Sequence, residues 1–158
     1  MIVHPFKPVY DSKSEILILG SFPSVKSREN NFYYGHPQNR FWKVLSAVFH
    51  EPAPPTINEK ALFLHEHHIA LWDVIASCEI KGSADMTITN AVPNDLRQLL
   101  RESRIGRIFV NGKTAQSLYD RYCLKQTGIS ATYLPSTSPA NAAWSLDRLI
   151  QAWRVIDL

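Results

Sequence analysis

The chain has 158 residues, of which 45% are hydrophobic and 20% charged, so it has the common size of one domain with a single sizeable core. Its 17 Lys and Arg against 14 Asp and Glu give a net charge of +3, which permits a polyanionic partner without requiring one. Because it has neither a run of about 18 apolar residues nor a secretory leader pattern, we expect one domain over residues 1–158, cytoplasmic and without a membrane partner.

The predicted elements alternate between buried strands and amphipathic helices. Apolar runs that end at glycine or polar residues predict strands at 15–20, 69–75, 107–111 and 131–134. Apolar positions three and four residues apart predict helices at about 38–49, 58–68, 95–102, 113–123 and 142–156, the third capped by Asn94. A polar loop follows the first strand, and residues 76–92 show no clear periodicity.

This alternation predicts an α/β fold with three layers, α/β/α, around a central, mainly parallel four-stranded sheet. Functional sites in such sheets collect at the carboxyl ends of the strands. We therefore expect the chemistry in the loops that follow Gly20, Asp73, Asn111 and Leu134.

The two cysteines argue against a metal or iron–sulfur centre. Cys78 and Cys123 lie far apart and form no Cys-x-x-Cys pair, so neither a zinc ribbon nor a four-cysteine cluster can be built. His65 and His68 have the spacing to share a helix face, but no cysteine or second cluster joins them. We expect no metal and no cofactor.

Two of the four loops have the composition of a nucleotide site. The first covers 20–24 and 32–42 and combines small hydroxyl residues, prolines and aromatics, whereas the last, 134–141, is rich in Ser, Thr and Pro. Hydroxyl and backbone N–H groups in stiff turns bind phosphate oxygens, and aromatic rings offer a face on which a base stacks. Taken alone, either loop is better explained as turns and core aromatics.

Together, these motifs resemble the uracil-DNA glycosylase superfamily, whose members have a Gly-x-x-Pro loop after the first core strand and a Pro-Ser loop after the last. Residues 20–23 read GSFP and residues 135–136 read PS. Residues 34–44, YGHPQNRFWKV, closely resemble the His-Pro-x-Asn-Arg-Phe-Trp segment of the mismatch-specific uracil glycosylase branch. With WDV at 72–74 and NAVPND at 90–95, the chain is most similar to the hypoxanthine-DNA glycosylase branch.

The resemblance spans about residues 15–141 and implies a monofunctional DNA N-glycosylase. Such an enzyme flips a deaminated base out of damaged DNA and hydrolyses its bond to the sugar, with hypoxanthine as the expected substrate and uracil or xanthine as further candidates. We expect a monomer associated with the nucleoid through DNA. The alternatives are a noncatalytic module that binds damaged nucleotides and, ranked last, a serine hydrolase, for which a Gly-x-Ser-x-Gly elbow is missing.

One departure from the superfamily pattern moves the expected catalytic role to Asn39. Many members have Asp or Asn at the position of Phe22, where it positions the attacking water, and a phenyl ring cannot do this. The hypoxanthine branch also lacks that acidic residue and keeps the asparagine before Arg-Phe-Trp, so we expect Asn39 to hold the water through its amide oxygen. Because an amide is a poor general base, most of the rate enhancement must come from stabilising the departing base and the cationic sugar.

The same resemblance implies three residues of the base pocket. Tyr34 matches the aromatic that stacks on the extruded base, and Phe22 lies beside the catalytic asparagine. His36 lies between them, where it donates to the base or a phosphate, or serves as a structural group of its turn.

Three further pocket residues follow from their place at strand ends. Trp72 and Asp73 end the second predicted strand and Asn111 ends the third, so their side chains are expected to face the same crevice. Asn111 has one donor and one acceptor for a base edge, but it equally suits a helix N-cap. For Asp73 a capping role is preferred to that of a general base.

The residues expected to contact DNA lie in the two motif loops. In the superfamily the second loop binds phosphates and fills the gap that the flipped base leaves in the stack. In this chain the loop lacks the expected histidine. Its absence agrees with a shift away from strong uracil activity. The expected contacts are Ser21, Ser24, Ser136, Thr137, Ser138 and Asn141. Further phosphate candidates are Lys26, Arg28, Lys113 and Arg40, of which Arg40 alternatively anchors the motif by an internal ion pair.

Overall fold

The computed structural model describes residues 1–157, which form seven strands and seven α-helices. Strands β1 to β7 are Ile2–Val3, Ile16–Gly20, Ile69–Asp73, Ile75–Glu79, Thr89–Pro93, Arg107–Asn111 and Ala131–Leu134. Helices α1 to α7 are Val25–Asn30, Phe41–Phe49, Ile57–Glu66, Arg97–Arg101, Lys113–Tyr122, Leu124–Thr127 and Leu146–Trp153. Two short 3₁₀ turns are Asp85–Thr87 and Arg154–Asp157.

A parallel four-stranded sheet forms the centre of the fold. Its order is β3-β2-β6-β7, and each neighbouring pair is parallel. Along β2, Ile16 and Ile18 belong to the apolar cluster under α2, α3 and α7, whereas Leu17 and Leu19 belong to the cluster under α4 and α5. Helices thus cover both faces, and the predicted three-layer α/β architecture is confirmed.

The second predicted strand, 69–75, is divided in the structure. The Val74 N–H donates to the Gly20 carbonyl and the Ile75 N–H to the Ser21 carbonyl, at 2.8 and 3.1 Å. The chain therefore stays hydrogen-bonded to the end of β2 as far as Ile75, where it begins β4 of a different sheet.

Five of the helices, α2, α3, α4, α5 and α7, were predicted, with shifted ends. Helix α2 begins at Phe41 because the preceding residues form a turn in which the Asn39 side chain accepts the Phe41 N–H. Helix α7 begins after Ser145, whose hydroxyl caps it. The predicted cap at Asn94 is wrong: this side chain is buried and donates to the Asp73 carbonyl, and α4 begins only after Leu96.

A small antiparallel sheet in the order β1-β4-β5 was not predicted. Its strands are short, and the β4–β5 pairing contains register shifts, so no alternation of apolar residues extends over 76–92. The sheet matters for the site because the link between β4 and β5 contains the 3₁₀ turn Asp85–Thr87. Within residues 1–157, no helix has the length and apolar character needed to cross a bilayer.

Candidate active site

A cavity of about 400 Å³ lies at the carboxyl end of the parallel sheet. Strands β2, β3 and β6 end on it with Gly20, Asp73 and Asn111, and the loop after β7 lines another side. The four loops in which the chemistry was expected therefore converge on one space. Its volume is in the range of small-ligand sites and suits a flipped base.

Most of the residues predicted for the site line this cavity: Ser21, Phe22, Ser24, Tyr34, His36, Asn39, Asp73, Asn111, Ser136, Thr137 and Ser138. Trp72 does not, and lies instead in a separate depression beside Tyr10 and Leu99. Successive side chains of a strand point to opposite faces, so Trp72 and Asp73 cannot both face the crevice. Asn141 is also absent from the lining, since its amide donates to the Ser136 carbonyl at 3.0 Å.

Thr137 connects the loops that surround the cavity. Its hydroxyl donates to Asn39 Oδ1 at 2.9 Å and accepts from Asn111 Nδ2 at 3.0 Å. Its N–H donates to Asn111 Oδ1 at 3.1 Å, and its carbonyl accepts the Arg40 N–H at 3.1 Å. Since Thr137 is completely buried and all its polar groups have partners, the predicted contact of Thr137 with DNA is wrong.

The same bonds change the interpretation of Asn111. It does not cap α5, because Gly112 is the N-cap residue and no side chain bonds there. Its amide oxygen and one amide hydrogen are engaged by Thr137. One hydrogen on Asn111 Nδ2 and one lone pair on Oδ1 therefore remain, so the residue can both donate to a base edge and accept from it.

The amide oxygen of Asn39 is also engaged. Oδ1 accepts the Phe41 N–H and the Thr137 hydroxyl, each at 2.9 Å, and these two bonds use both of its lone pairs. The expectation that this oxygen holds the water is therefore wrong. No hydrogen bond among the described residues uses Asn39 Nδ2, which leaves that nitrogen to donate to the oxygen of a water.

The ring of Tyr34 lies against the floor of the cavity. It stacks on Phe41 with 4.0 Å between ring centroids and 18° between planes, so one face is already covered. Its hydroxyl is buried and has no partner with good hydrogen-bond geometry. Burial and the charge of Asp73 raise its pKa well above the usual value, and the neighbouring Asn111 side chain opposes them. Stacking of a base on Tyr34 stays a prediction and is restricted to the other face of the ring.

Asp73 is held by His4, which sequence reasoning missed. His4 Nε2 lies 2.8 Å from Asp73 Oδ2, and the two side chains are only 4% and 5% exposed. Because His4 Nδ1 accepts the Phe6 N–H, Nε2 carries a hydrogen and donates to the carboxylate. Asp73 is thus a buried, oriented carboxylate, and the preferred capping role for it is wrong.

A second carboxylate, Asp85, lines the same cavity from the 3₁₀ turn and was also missed. Burial raises its pKa to about 6, the charge of Asp73 adds to this effect, and a hydrogen bond with Ser21 opposes it. The residues around Asp85 read as an ordinary polar loop, KGSADMT at 81–87, and contain no signal that they fold against the site.

Two bonds attach the segment before Asp85 to α1. The Val25 N–H donates to the Ser83 hydroxyl and Arg28 Nη2 donates to the Gly82 carbonyl, both at 2.9 Å. Arg28 also lies 5.8 Å from the centroid of the Phe22 ring. In this structure Arg28 therefore holds the Asp85 segment and the Phe22 wall, rather than standing free for a phosphate.

Arg40 anchors the last loop. Its guanidinium donates to three main-chain carbonyls, those of Ser138 at 3.0 Å, Asn141 at 3.1 Å and Trp144. Of the two alternatives for Arg40, the internal anchor is correct, although its partners are carbonyls and not a carboxylate.

The serine hydroxyls of the two loops differ in whether a hydrogen is left to donate to DNA. Ser24 caps α1 by accepting the Ser27 N–H, and its own hydroxyl hydrogen goes to Ser27 Oγ. Ser136 and Ser138 each accept a backbone N–H from two residues further on, so their hydroxyl hydrogens remain to be donated. His36 resembles them, because its Nδ1 accepts a backbone N–H and its Nε2 remains as a donor.

Outside the cavity, one group within residues 1–157 brings three possible metal ligands together. Side-chain atoms of Glu51, Glu66 and His67 lie within 4.8 Å of one another. His67 Nε2 already bonds the Glu51 carboxylate and Glu66 is exposed, so we assign no metal to this group.

Comparison with known proteins identifies the family. The sequence model of the uracil DNA glycosylase superfamily matches residues 7–156, nearly the whole chain. The chain belongs to the uracil DNA glycosylase superfamily. It is accordingly a DNA N-glycosylase, which is the enzyme class predicted from the motif loops.

Members of the superfamily from two archaea are similar over most of this chain. A protein named hypoxanthine DNA glycosylase from Methanosarcina acetivorans is 36% identical over 152 residues, which are 94% of each chain. A protein of the same name from Methanosarcina barkeri is 33% identical over 139 residues, 86% of each chain. The solution NMR structure of a candidate uracil DNA glycosylase from Methanosarcina acetivorans superimposes with a TM-score of 0.82 at 32% identity, covering both chains completely.

Proposed function

We propose that this member of the uracil DNA glycosylase superfamily excises hypoxanthine from DNA, with uracil and xanthine as further substrates, and leaves an abasic site. The observation that carries the proposal is the fixed position of Asn39 in the cavity, with Oδ1 engaged by the protein and Nδ2 free to donate to a water. The names of the two archaeal relatives support hypoxanthine as the base.

The target nucleotide first leaves the helix, since C1′ of the sugar cannot be reached by an aligned water inside the base stack. Flipping costs a few kcal/mol, and less for a base that pairs poorly. The flipped base enters the cavity between Phe22 and the free face of Tyr34, and the hydroxyl hydrogens of Ser136 and Ser138 bind the neighbouring phosphates.

Hydrolysis then proceeds through a sugar with cationic character. Asn39 Nδ2 donates to the water oxygen and so places the water for attack, but an amide does not remove the proton of this water. The Asp73 carboxylate, oriented by His4, offers its negative charge to the sugar as the bond to the base lengthens. Electrostatic stabilisation therefore contributes more than proton removal.

Recognition of hypoxanthine begins at its O6 atom. The remaining hydrogen on Asn111 Nδ2 donates to O6, and the donor at His36 Nε2 is available on the same cavity wall. Asn111 Oδ1 accepts the Thr137 N–H with one lone pair, and its second lone pair is available to accept the N1–H group of the base.

The cavity is complete within one chain, which suits a monomer that scans duplex DNA. We further propose that the enzyme works on the DNA of the nucleoid, in the cytoplasm.

Duplex oligonucleotides that carry a single hypoxanthine, uracil or xanthine test the proposal. After incubation with the protein, hot alkali breaks the strand at any abasic site, and we expect cleavage of the hypoxanthine strand that depends on the protein. Matched duplexes with adenine at the same position are the control. Tight binding of hypoxanthine DNA without strand breakage, at an excess of enzyme, would instead establish a binding module.

A further inference from the structure

Asp85 is a cavity residue that the motifs do not assign to the reaction. It lines the same cavity as Asn39 and Asp73 but comes from the turn between β4 and β5, outside both motif loops. The residues just before it, Gly82 and Ser83, are hydrogen-bonded to α1. This attachment keeps the turn against the cavity. A carboxyl group that the motifs do not assign is therefore present in the site.

The two carboxyl groups of the cavity have different surroundings. Asp73 receives a hydrogen bond from His4 at 2.8 Å. Asp85 receives no such cationic or imidazole partner among the described residues and is half-buried. Its partial burial and the charge of Asp73 raise its pKa to about 6, although a hydrogen bond with Ser21 opposes them. Two carboxyl groups that differ in this way are suited to opposite roles, one charged and one proton-donating.

A departing purine can accept a proton on its five-membered ring, at the basic nitrogen N7, and this protonation lets the base leave as a neutral molecule. General acids of this kind contribute about 100-fold to 10,000-fold to a rate. Asn111 Nδ2 and the serine hydroxyls of the cavity form hydrogen bonds but do not give up a proton near neutral pH, which leaves Asp85 and His36 as the candidate proton donors.

We propose that Asp85 is the general acid of the reaction, which protonates N7 of the departing purine and so directs this active site toward purine bases. The inference rests on the proposed excision of hypoxanthine. In this step the proton passes from the Asp85 carboxyl to N7, and the electron pair of the C1′–N9 bond goes to N9. The water oxygen bonds to C1′ and releases one proton to solvent, and solvent returns a proton to the Asp85 carboxylate.

The pH dependence of the step is set by the groups around Asp85. These titratable and charged neighbours are Asp73 on β3, Tyr34 and His36 in the first loop, Cys78 on β4 and Arg28 on α1. Tyr34 and Cys78 both have pKa values raised by burial and stay neutral below pH 8, so neither causes a change in rate near pH 6. The Asp85→Asn variant keeps His36, so a pH dependence that persists in this variant would belong to His36 and not to Asp85.

Single-turnover excision of hypoxanthine between pH 5 and 8.5 tests the proposal with Asp85→Asn and, as a matched control, Asp120→Asn, which alters an exposed carboxylate on α5. We expect the wild-type and Asp120→Asn rates to fall about tenfold per pH unit above pH 6. We expect the Asp85→Asn rate to be about 100-fold lower at pH 6 and independent of pH in this range. An Asp85→Asn rate within threefold of wild type across the range overturns the inference while the excision of hypoxanthine stands.

A second measurement needs no variant. Duplex DNA containing 7-deazahypoxanthine, which lacks N7, is offered to the wild-type protein beside hypoxanthine DNA. We expect it to bind with similar affinity and to be cleaved at least 100-fold more slowly. Equal cleavage of both substrates overturns the role of Asp85, whereas cleavage of neither would overturn the proposed function itself.

Discussion

The Thr137 hydroxyl donates a hydrogen bond to Asn39 Oδ1 at 2.9 Å, across 98 residues of sequence. The last loop of the domain thereby fixes the residue of the first loop that is proposed to hold the water. The two motif loops form one unit, and a change in the last loop is expected to affect the chemistry at the first.

Replacing Thr137 with Val tests this connection. Valine has the same shape but leaves Asn39 Oδ1 and Asn111 Nδ2 each without one partner in a buried place. We expect a loss of about 1–3 kcal/mol in the free energy of unfolding and a slower excision step. Denaturant unfolding and single-turnover kinetics measure the two effects. Thr137→Ser, which keeps the hydroxyl, should retain most of the rate; equal rates for Val and wild type would disprove the connection.

Gly20 has to be glycine for Asp73 to reach the cavity. A Cβ at Gly20 would lie 2.4 Å from Asp73 Oδ1 and 3.0 Å from the Tyr34 hydroxyl oxygen. We expect Gly20→Ala to lower the free energy of unfolding by about 1–3 kcal/mol and to reduce excision, because the carboxylate has to move. Gly106→Ala is the matched control, since a Cβ there meets nothing within 4 Å. If Gly20→Ala is as stable as Gly106→Ala, the carboxylate is not confined as described.

The His4–Asp73 contact is expected to stabilise the fold as well as the site. Removing His4 leaves a buried carboxylate with one donor fewer, and hydrogen bonds to charged groups contribute about 1.5–3 kcal/mol. We therefore expect His4→Ala to unfold at lower denaturant concentration than wild type. In a double-mutant cycle with Asp73→Asn, the changes in the free energy of unfolding caused by the two substitutions should not add. Simple additivity of these changes would contradict a direct contact.

The raised pKa of Asp85 predicts how stability changes with pH. An acid whose pKa is higher in the folded protein binds more protons there than in the unfolded chain, so its contribution to stability is full below about pH 4 and declines as pH rises toward 6. We expect Asp85→Asn to be more stable than wild type at pH 7 and similar to it at pH 4. Urea unfolding at both pH values checks this, and a variant less stable than wild type at pH 7 would contradict a burial penalty on the carboxylate.

The parallel sheet and its loops were predictable because their signals are local. The apolar run that becomes β2 is continuous, and the rule that sites lie at carboxyl ends of parallel strands correctly directed attention to Gly20, Asp73 and Asn111. The prediction for Trp72 was wrong because it assumed that two successive residues at the end of a strand face the same side.

The missed residues come from the part of the chain without periodicity. His4 reaches Asp73 across 69 residues of sequence, through a two-residue strand, and Asp85 follows a strand with irregular pairing. Nothing local distinguishes either residue from an ordinary loop residue. The role of Thr137 was hidden for a related reason, since a threonine in a Ser- and Pro-rich loop resembles an exposed phosphate contact until its burial is known.

The measurement that bears most directly on the account is the single-turnover rate of Asn39→Ala on hypoxanthine-containing duplex DNA. Asn58→Ala, an exposed asparagine in the first turn of α3, serves as the matched control. We predict that Asn39→Ala loses at least 100-fold in rate while binding the substrate, that Asn58→Ala keeps the wild-type rate, and that adding Phe22→Ala restores nothing. An Asn39→Ala protein that excises hypoxanthine at the wild-type rate would contradict the central claim.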